Sequence, residues 1–445
     1  MADIRPFRAV RYNTAVAGGL GSLVTQPYDK ISPEMQARYY DSNPHNLVRV
    51  ILGRKNPGDS SKDTVYVRAA SEFRRWIEAQ VLKTDQTPAI YAYDQEYEVP
   101  GQPGVIRVRR GFVALARIED YAAGVVHRHE ETLAGPKADR LELLKTTRAH
   151  CEQLFLLYSD PAGEIEGAVN RAAENTATQT VIDEHGTRHS LRKIDDAETV
   201  AAVRAAMREK KLVIADGHHR YETAMAYRDF CRAQGKAGER TDYVMMTFVR
   251  KESDGLTILP THRVVHSLPQ FEWAGFLDTA GRFFEVHAVA ATGESGGWAE
   301  RVVVKLEASG RSAPTLGVYA GAGKLALLKL RADIDLARSL PDLPEGLRRL
   351  DVILLHRLVI EQILGIDRQA VREEKNLHYV RGSQEAIAQV DRGRAPLTFL
   401  MNPTPIDQVW DNALAGRPLP QKSTDFYPKM LSGLAMYWLD NPLGM

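Results

Sequence analysis

Two cysteines in 445 residues, Cys151 and Cys231, are too few for a disulfide framework or a cysteine-based metal site. They suit a reducing compartment. Charge of one sign is also missing: 58 Lys and Arg stand against 57 Asp and Glu, a net of +1. Nothing in that balance calls for nucleic acid or an anionic membrane as partner, and only a local basic patch would leave room for either. No apolar run is long enough to span a bilayer, and the start, Met1-Ala2-Asp3-Ile4-Arg5-Pro6-Phe7, lacks the apolar stretch of a signal peptide. The expected location is cytoplasmic, with no membrane partner. No periodic self-similarity is present, which excludes a repeat architecture. What is there is an ordinary globular composition, 44% apolar and 26% charged. The length exceeds what one core usually organises, so two or three subdomains are expected.

The pattern of elements reads as α+β, divided into an N-terminal region over 1–118, a central region over 119–268 and a C-terminal region over 269–445. Ser32 is placed to cap a helix with Pro33 at its first position, ended by Asn43-Pro44. Leu47–Leu52 reads as a strand. Lys62–Val81 is an amphipathic helix, with Val65, Ala69, Phe73, Trp76 and Ile77 on one face. Ala89–Val99 and Val105–Ile118 read as antiparallel strands across a Pro/Gly turn. Asp139–Thr147 has helix chemistry, Leu154–Tyr158 is strand-like, and Thr180–Asp183 with Arg188–Ile194 makes a hairpin around His185-Gly186. Further on, Phe271–Phe284 and Asp351–Leu364 read as helices. Val302–Leu306, Leu316–Tyr319, Leu325–Leu330 and Pro396–Met401 read as strands. The Gly/Ser-rich run over 292–297 reads as a flexible insertion.

The stretch that carries most chemistry is Lys211-Leu-Val-Ile-Ala-Asp216-Gly217-His218-His219-Arg220-Tyr221-Glu222-Thr223. Leu212–Ala215 is an apolar run of buried-strand type, and Asp216-Gly217 is turn chemistry. Ala224, Tyr227, Phe230 and Cys231 then recur at helical spacing up to Gly235. A strand, a tight turn and a helix follow, with two imidazoles and a guanidinium in the turn. Free N–H groups at a helix start, beside Gly and Arg, make an anion site. A solvated turn with incidental histidines is the plainer alternative.

Asp216-Gly217-His218-His219-Arg220 before a helix resembles the phosphate-binding signature of the ParB/sulfiredoxin-like fold, and within it the free-serine kinases, which have the same five residues. His218 stands where sulfiredoxins carry a cysteine, so their reaction has no nucleophile here. The fold implied is a ParB/sulfiredoxin-like central domain flanked by mixed α+β regions. The order of Pro6-Phe7-Arg8, Pro27-Tyr28-Asp29, His129-Glu130, Asp139-Arg140-Leu141, Ala215–Thr223, His262-Arg263, Lys422-Ser423-Thr424 and Pro428-Lys429 also resembles one family of bacterial and archaeal proteins, a domain of unknown function, over nearly the full length.

The kinase resemblance implies roles. Asp216, Gly217, His218, His219 and Arg220 would bind nucleotide phosphates, and His129-Glu130 would be the pair that supplies a catalytic carboxylate. A hydroxyl nucleophile needs a base within reach, and phosphoryl oxygens need cations and N–H donors. ATP or ADP with Mg²⁺ is the cofactor implied, and a small hydroxyl compound, serine first, the acceptor. Glu130 and Asp216 lie 86 residues apart (216 − 130), so this reading makes the Thr180–Ile194 hairpin an insertion. His-Glu is short, and a solvated loop pair fits it as well. His127 and His129 with Glu131 suggest a metal site for which no third ligand follows at a recognisable spacing. His262-Arg263 lines the same cleft or pairs with a carboxylate. Tyr28 and Asp29, with Lys422, Ser423, Thr424 and Lys429, are either substrate-facing loops or chain termini packed together through Tyr28, Phe426 and Tyr427. Hydrolysis at the same site, giving a phosphatase or nucleotidase, and a ParB-like nucleotide-gated DNA-binding protein are the alternatives. The balanced charge and lack of a helix-turn-helix argue against specific nucleic-acid binding.

Overall fold

The computed structural model describes residues 1–60, 62–131, 135–236, 238–268, 270–289 and 298–445. It is a mixed α+β structure in two compact units. One comprises Met1–Arg128, Thr132–Thr257 and Pro428–Met445, the other His129–Glu131 and Ile258–Tyr427.

The first unit is built on a mixed sheet. Its strands run in the order Val126–Arg128, Leu212–Asp216, Leu154–Tyr158, Tyr243–Arg250, Ile106–Arg117, Ile90–Glu98, Arg188–Ile194 and Thr178–Ile182, with Ile4–Arg5 also pairing to Ile106–Arg117. Two pairings are parallel, Leu212–Asp216 with Val126–Arg128 and Tyr243–Arg250 with Leu154–Tyr158; the others are antiparallel. All five residues of Leu154–Tyr158 are buried, as a strand covered on both faces requires. Helices Glu164–Ala173 and Ala197–Met207 contribute Ile165, Val169, Ala173, Val203 and Met207 to the same core. The sheet draws strands from both sides of residue 118. The 178–194 hairpin is integral to it, because Arg188–Ile194 pairs with Ile90–Glu98 along its whole length.

The last segment, Pro428–Met445, belongs to this first unit. Ser432 bridges to Thr25 and Met436 to Val10, and Tyr437–Trp438 pairs with Ala149–His150. Met430, Leu431, Leu434, Ala435 and Met436 are all buried there.

The second unit has an antiparallel sheet in the order Phe284–Ala288, Leu325–Leu330, Thr315–Tyr319, Leu397–Leu400, His262–Val265 and Leu377–Val380. Helices Trp298–Gly310 and Ser383–Asp391 pack on it through Val302, Leu306, Ala386, Ile387 and Val390.

Three sequence expectations are corrected. Leu47–Leu52 holds a helical turn, Val48–Ile51, where a strand was expected. The Asn46 side chain accepts from Val48 N at 2.9 Å and donates to Ser22 O, a local bond that selects the turn over an extended run. Val302–Leu306 lies inside helix Trp298–Gly310: Ala299, Val302 and Leu306 are buried while Val304 is 63% exposed, a helical face that a five-residue window hides. Within Phe271–Phe284 only Trp273–Ala280 is helical, capped by Glu272, and Phe284 begins a strand. The run over 292–297 and Thr132 lie outside the described residues. Among the described residues no helix is long and apolar enough to cross a membrane.

Candidate functional site

Strand Leu212–Asp216 sits between two neighbours, and its pairing with Leu154–Tyr158 shifts register between Ile214 and Asp216. Such an irregularity re-aims the side chains that follow it. Gly217 comes next at φ 94° and caps helix His218–Ala233 with no side chain of its own. A Cβ at this position would lie 2.9 Å from Leu154 Cδ2 and 3.2 Å from the Arg220 guanidinium. Only glycine meets both the backbone angle and the close approach. The first N–H groups of any helix have no acceptor within it, and here the residues that carry them are His218, His219 and Arg220. The strand, tight turn and helix therefore stand where the sequence places them.

Around this turn the first unit gathers cations about one carboxylate. Arg220 Nη2 donates to Asp216 Oδ2 at 3.2 Å, and Lys429 Nζ is 3.7 Å from Asp216 Oδ1. Burial pushes the Asp216 carboxyl up, but Lys429, Arg220, Lys30 and His218 outweigh it and hold the group well below the usual carboxylate range. Arg220 also donates to Gln153 O, so its fork is aimed by the backbone beside the neighbouring strand. Lys429 is positioned from beneath. The buried Gln95 donates to Lys429 O at 2.8 Å, and the buried Arg109 donates to Pro428 O and, at 3.0 Å, to Gln95 Oε1. Burial brings the Arg109 pKa down to about 10.

A second ring of groups surrounds Arg220. Glu152, half-buried, accepts from Tyr28 N at 3.0 Å. Burial raises its pKa, with Arg220 and Arg140 opposing the rise. Tyr28 lies under the Arg140 guanidinium at 4.2 Å, and burial pushes its hydroxyl up to about 12. Asp29 is exposed beside Lys30. A cavity of about 60 Å³ touches Arg220, Arg140, Glu152 and Cys151. It has room for a water or two, far short of a nucleotide.

His129 and Glu130 belong to the second unit. Their partner is Thr424: its N–H and its hydroxyl both donate to Glu130 Oε1 at 3.0 Å, and His129 Nε2 is 2.7 Å from the same hydroxyl oxygen. His129 is buried edge-on to Phe426. Buried Arg263 donates to Lys422 O at 3.0 Å and to His356 Nε2 at 3.4 Å, and burial brings its pKa down to about 10. Ser423 Oγ turns back to Pro420 O at 2.5 Å. His262 is buried and accepts from Met401 N at 3.1 Å, a packing role. His127 lies in strand Val126–Arg128 and contacts Gly124 O at 3.1 Å. Among the described residues no group of three or more His, Cys, Asp or Glu is placed to hold a metal ion.

The structure thus brings Asp216, Gly217, His218, Arg220, Tyr28, Asp29 and Lys429 into one unit and His129, Glu130, Lys422, Ser423 and Thr424 into the other, dividing the C-terminal motif between Tyr427 and Pro428. Sequence reasoning missed Lys30, Glu152, Arg109 and Gln95. Lys30 adjoins Tyr28-Asp29 and was within reach of motif reading. The other three sit in ordinary-looking strands or loops, and tertiary contacts alone give them their place.

No curated protein matches this chain. Solved structures similar to it include a conserved hypothetical protein from Pyrococcus furiosus, at 10% identity and TM-score 0.33, covering 70% of this chain and 91% of that one. A free serine kinase mutant in complex with AMP is similar at 10% identity and TM-score 0.37, covering 76% and 95%. A C-terminally truncated SbnI from Staphylococcus aureus is similar at 11% and 0.36, covering 74% and 90%. At such scores the assignment of the site rests on the residues described above. The family model described as "Protein of unknown function (DUF1015)" matches residues 4–353, well over half of the chain, and the chain belongs to that family.

Proposed function

We propose that the Asp216–Arg220 turn binds the phosphates of a nucleotide, ATP or ADP, and that the protein is a phosphotransferase to a small hydroxyl compound, with free serine the first candidate. One observation carries the reading: Arg220 at 3.2 Å and Lys429 at 3.7 Å flank a single carboxylate, Asp216, at a helix start whose cap has no side chain, and Lys30 and His218 add to the field that holds its pKa low. Cations beside first-turn N–H groups are what a phosphate chain requires. Two donor contacts of Arg220, to Gln153 O and Asp216, aim the guanidinium, and its fork has five N–H groups in all. Mg²⁺ would enter with the nucleotide as a counter-charge to its phosphates.

Glu130 is the proposed base, with His129 beside it, by sequence resemblance. In its own unit it accepts two hydrogen bonds from Thr424, which fix its orientation. The central region, 119–268, is proposed to be ParB/sulfiredoxin-like. Phosphorus NMR of the protein with ATP or ADP and a panel of small alcohols and amino acids tests the function. A new phosphate-monoester signal supports transfer. Inorganic phosphate alone would favour hydrolysis, and an unchanged spectrum with every acceptor would contradict the proposal.

A further inference from the structure

The second unit contains a cavity of about 410 Å³, a volume within the range of small-molecule sites. Leu343, Leu347, Ile353, Ile366 and Val371 supply apolar wall, and four arginines, Arg357, Arg368, Arg372 and Arg417, reach it. Three of the four are neutralised. Arg357 and Arg368 share Asp342 and Glu361 at 2.9–3.2 Å, and Arg372 is 3.5 Å from Glu131. His356 in the wall stays uncharged, since burial and then Arg263 hold its pKa down to about 3. Among the side chains that line the cavity or pair with its arginines, four guanidiniums against the three carboxylates of Asp342, Glu361 and Glu131 leave one positive charge over; Arg263 sits behind His356 and Tyr379 and is not among the lining residues. That charge is on Arg417. Among the described residues its side chain meets no carboxylate, and its Nε is buried without a hydrogen-bond partner.

Gly346 makes this placement possible. A Cβ there would lie 2.8–2.9 Å from the Arg417 guanidinium atoms, so the planar group rests directly on the glycine backbone.

We propose that this cavity binds a small organic monocarboxylate, its apolar body against the leucine and isoleucine wall and its carboxylate on Arg417. A single uncompensated guanidinium matches one negative charge, and the planar fork suits a carboxylate. A phosphate dianion would find half of its charge unmatched. The inference stands apart from the phosphate reading of the Asp216 turn and holds or fails without it.

Calorimetric titration of the full chain tests it with three probes: 4-phenylbutyrate, the uncharged 4-phenylbutanol, and phenyl phosphate. Saturable binding of the carboxylate is expected, with the alcohol and the phosphate weaker by about 10-fold or more. Arg417→Gln should weaken 4-phenylbutyrate to the level of the alcohol. Gly346→Ala keeps every charge but displaces the guanidinium, and should weaken it in the same direction. Both variants should melt within a few degrees of the wild type, which separates lost binding from lost folding. No saturable binding of the carboxylate, tighter binding of the phosphate, or undiminished affinity in a folded Arg417→Gln would overturn the proposal.

Discussion

Arg220 does two jobs that a substitution would separate. It is mostly buried, 12% exposed, and donates to Gln153 O and Asp216. Arg220→Ala removes the cation beside two acidic groups, so a stability loss of about 2–4 kcal/mol is expected in denaturant titration. Arg220→Lys keeps the charge and loses the fork, and should fold nearly as well. Glu152 gives a pH-dependent prediction. Its folded pKa is raised above an unfolded value of ~4.3. The cost of ionising it in the folded state is therefore absent below that value and grows as pH rises through the folded pKa. Glu152→Gln cannot ionise and still accepts from Tyr28 N. Its melting temperature relative to wild type should rise from pH 4 to pH 8. A relative fall over that range would show that Arg220 and Arg140 win over burial.

The strand, turn and helix around Asp216 form the element on which the site depends, and this part was legible because its signals are local: an apolar run, Asp-Gly, then helical spacing. Gly217→Ala tests it. The residue must take φ 94° while its new methyl meets Leu154 and Arg220, so a loss of about 1–3 kcal/mol is expected from chemical denaturation. An unchanged midpoint would mean that the turn relaxes at no cost. Failures elsewhere have the same physical origin as this success. Leu47–Leu52 and Val302–Leu306 are apolar-rich runs too short for period alone to tell strand from helix, and an Asn46 side-chain bond or a longer exposed face decided them. The charges that define the site came from far along the chain. Lys429 reaches Asp216 because Pro428–Met445 rejoins the N-terminal unit, a return the sequence offered only as one of two readings of its terminal motifs, with no local signal to choose between them.

At the scale of the whole molecule the chain is two compact units, with the candidate phosphate turn in one and Glu130 in the other. Chemistry and binding are thus testable apart. Glu130→Gln preserves an acceptor for the Thr424 N–H and hydroxyl, so the fold should hold. If Glu130 is the base, phosphate transfer falls by ~10²–10⁴-fold while nucleotide affinity changes little. Full activity in that variant would move the base elsewhere. The near-zero net charge predicts no tight, salt-sensitive binding to duplex DNA at physiological ionic strength; fluorescence anisotropy that showed it would promote the ParB-like alternative. The central claim, that the Asp216–Arg220 turn holds nucleotide phosphates, is tested most directly by the calorimetric dissociation constant of ADP for the wild type and for Arg220→Lys. Saturable binding by the wild type, weaker by ~10-fold or more in a normally melting variant, is the predicted result. Absence of saturable binding, or equal affinity in the two proteins, would contradict it.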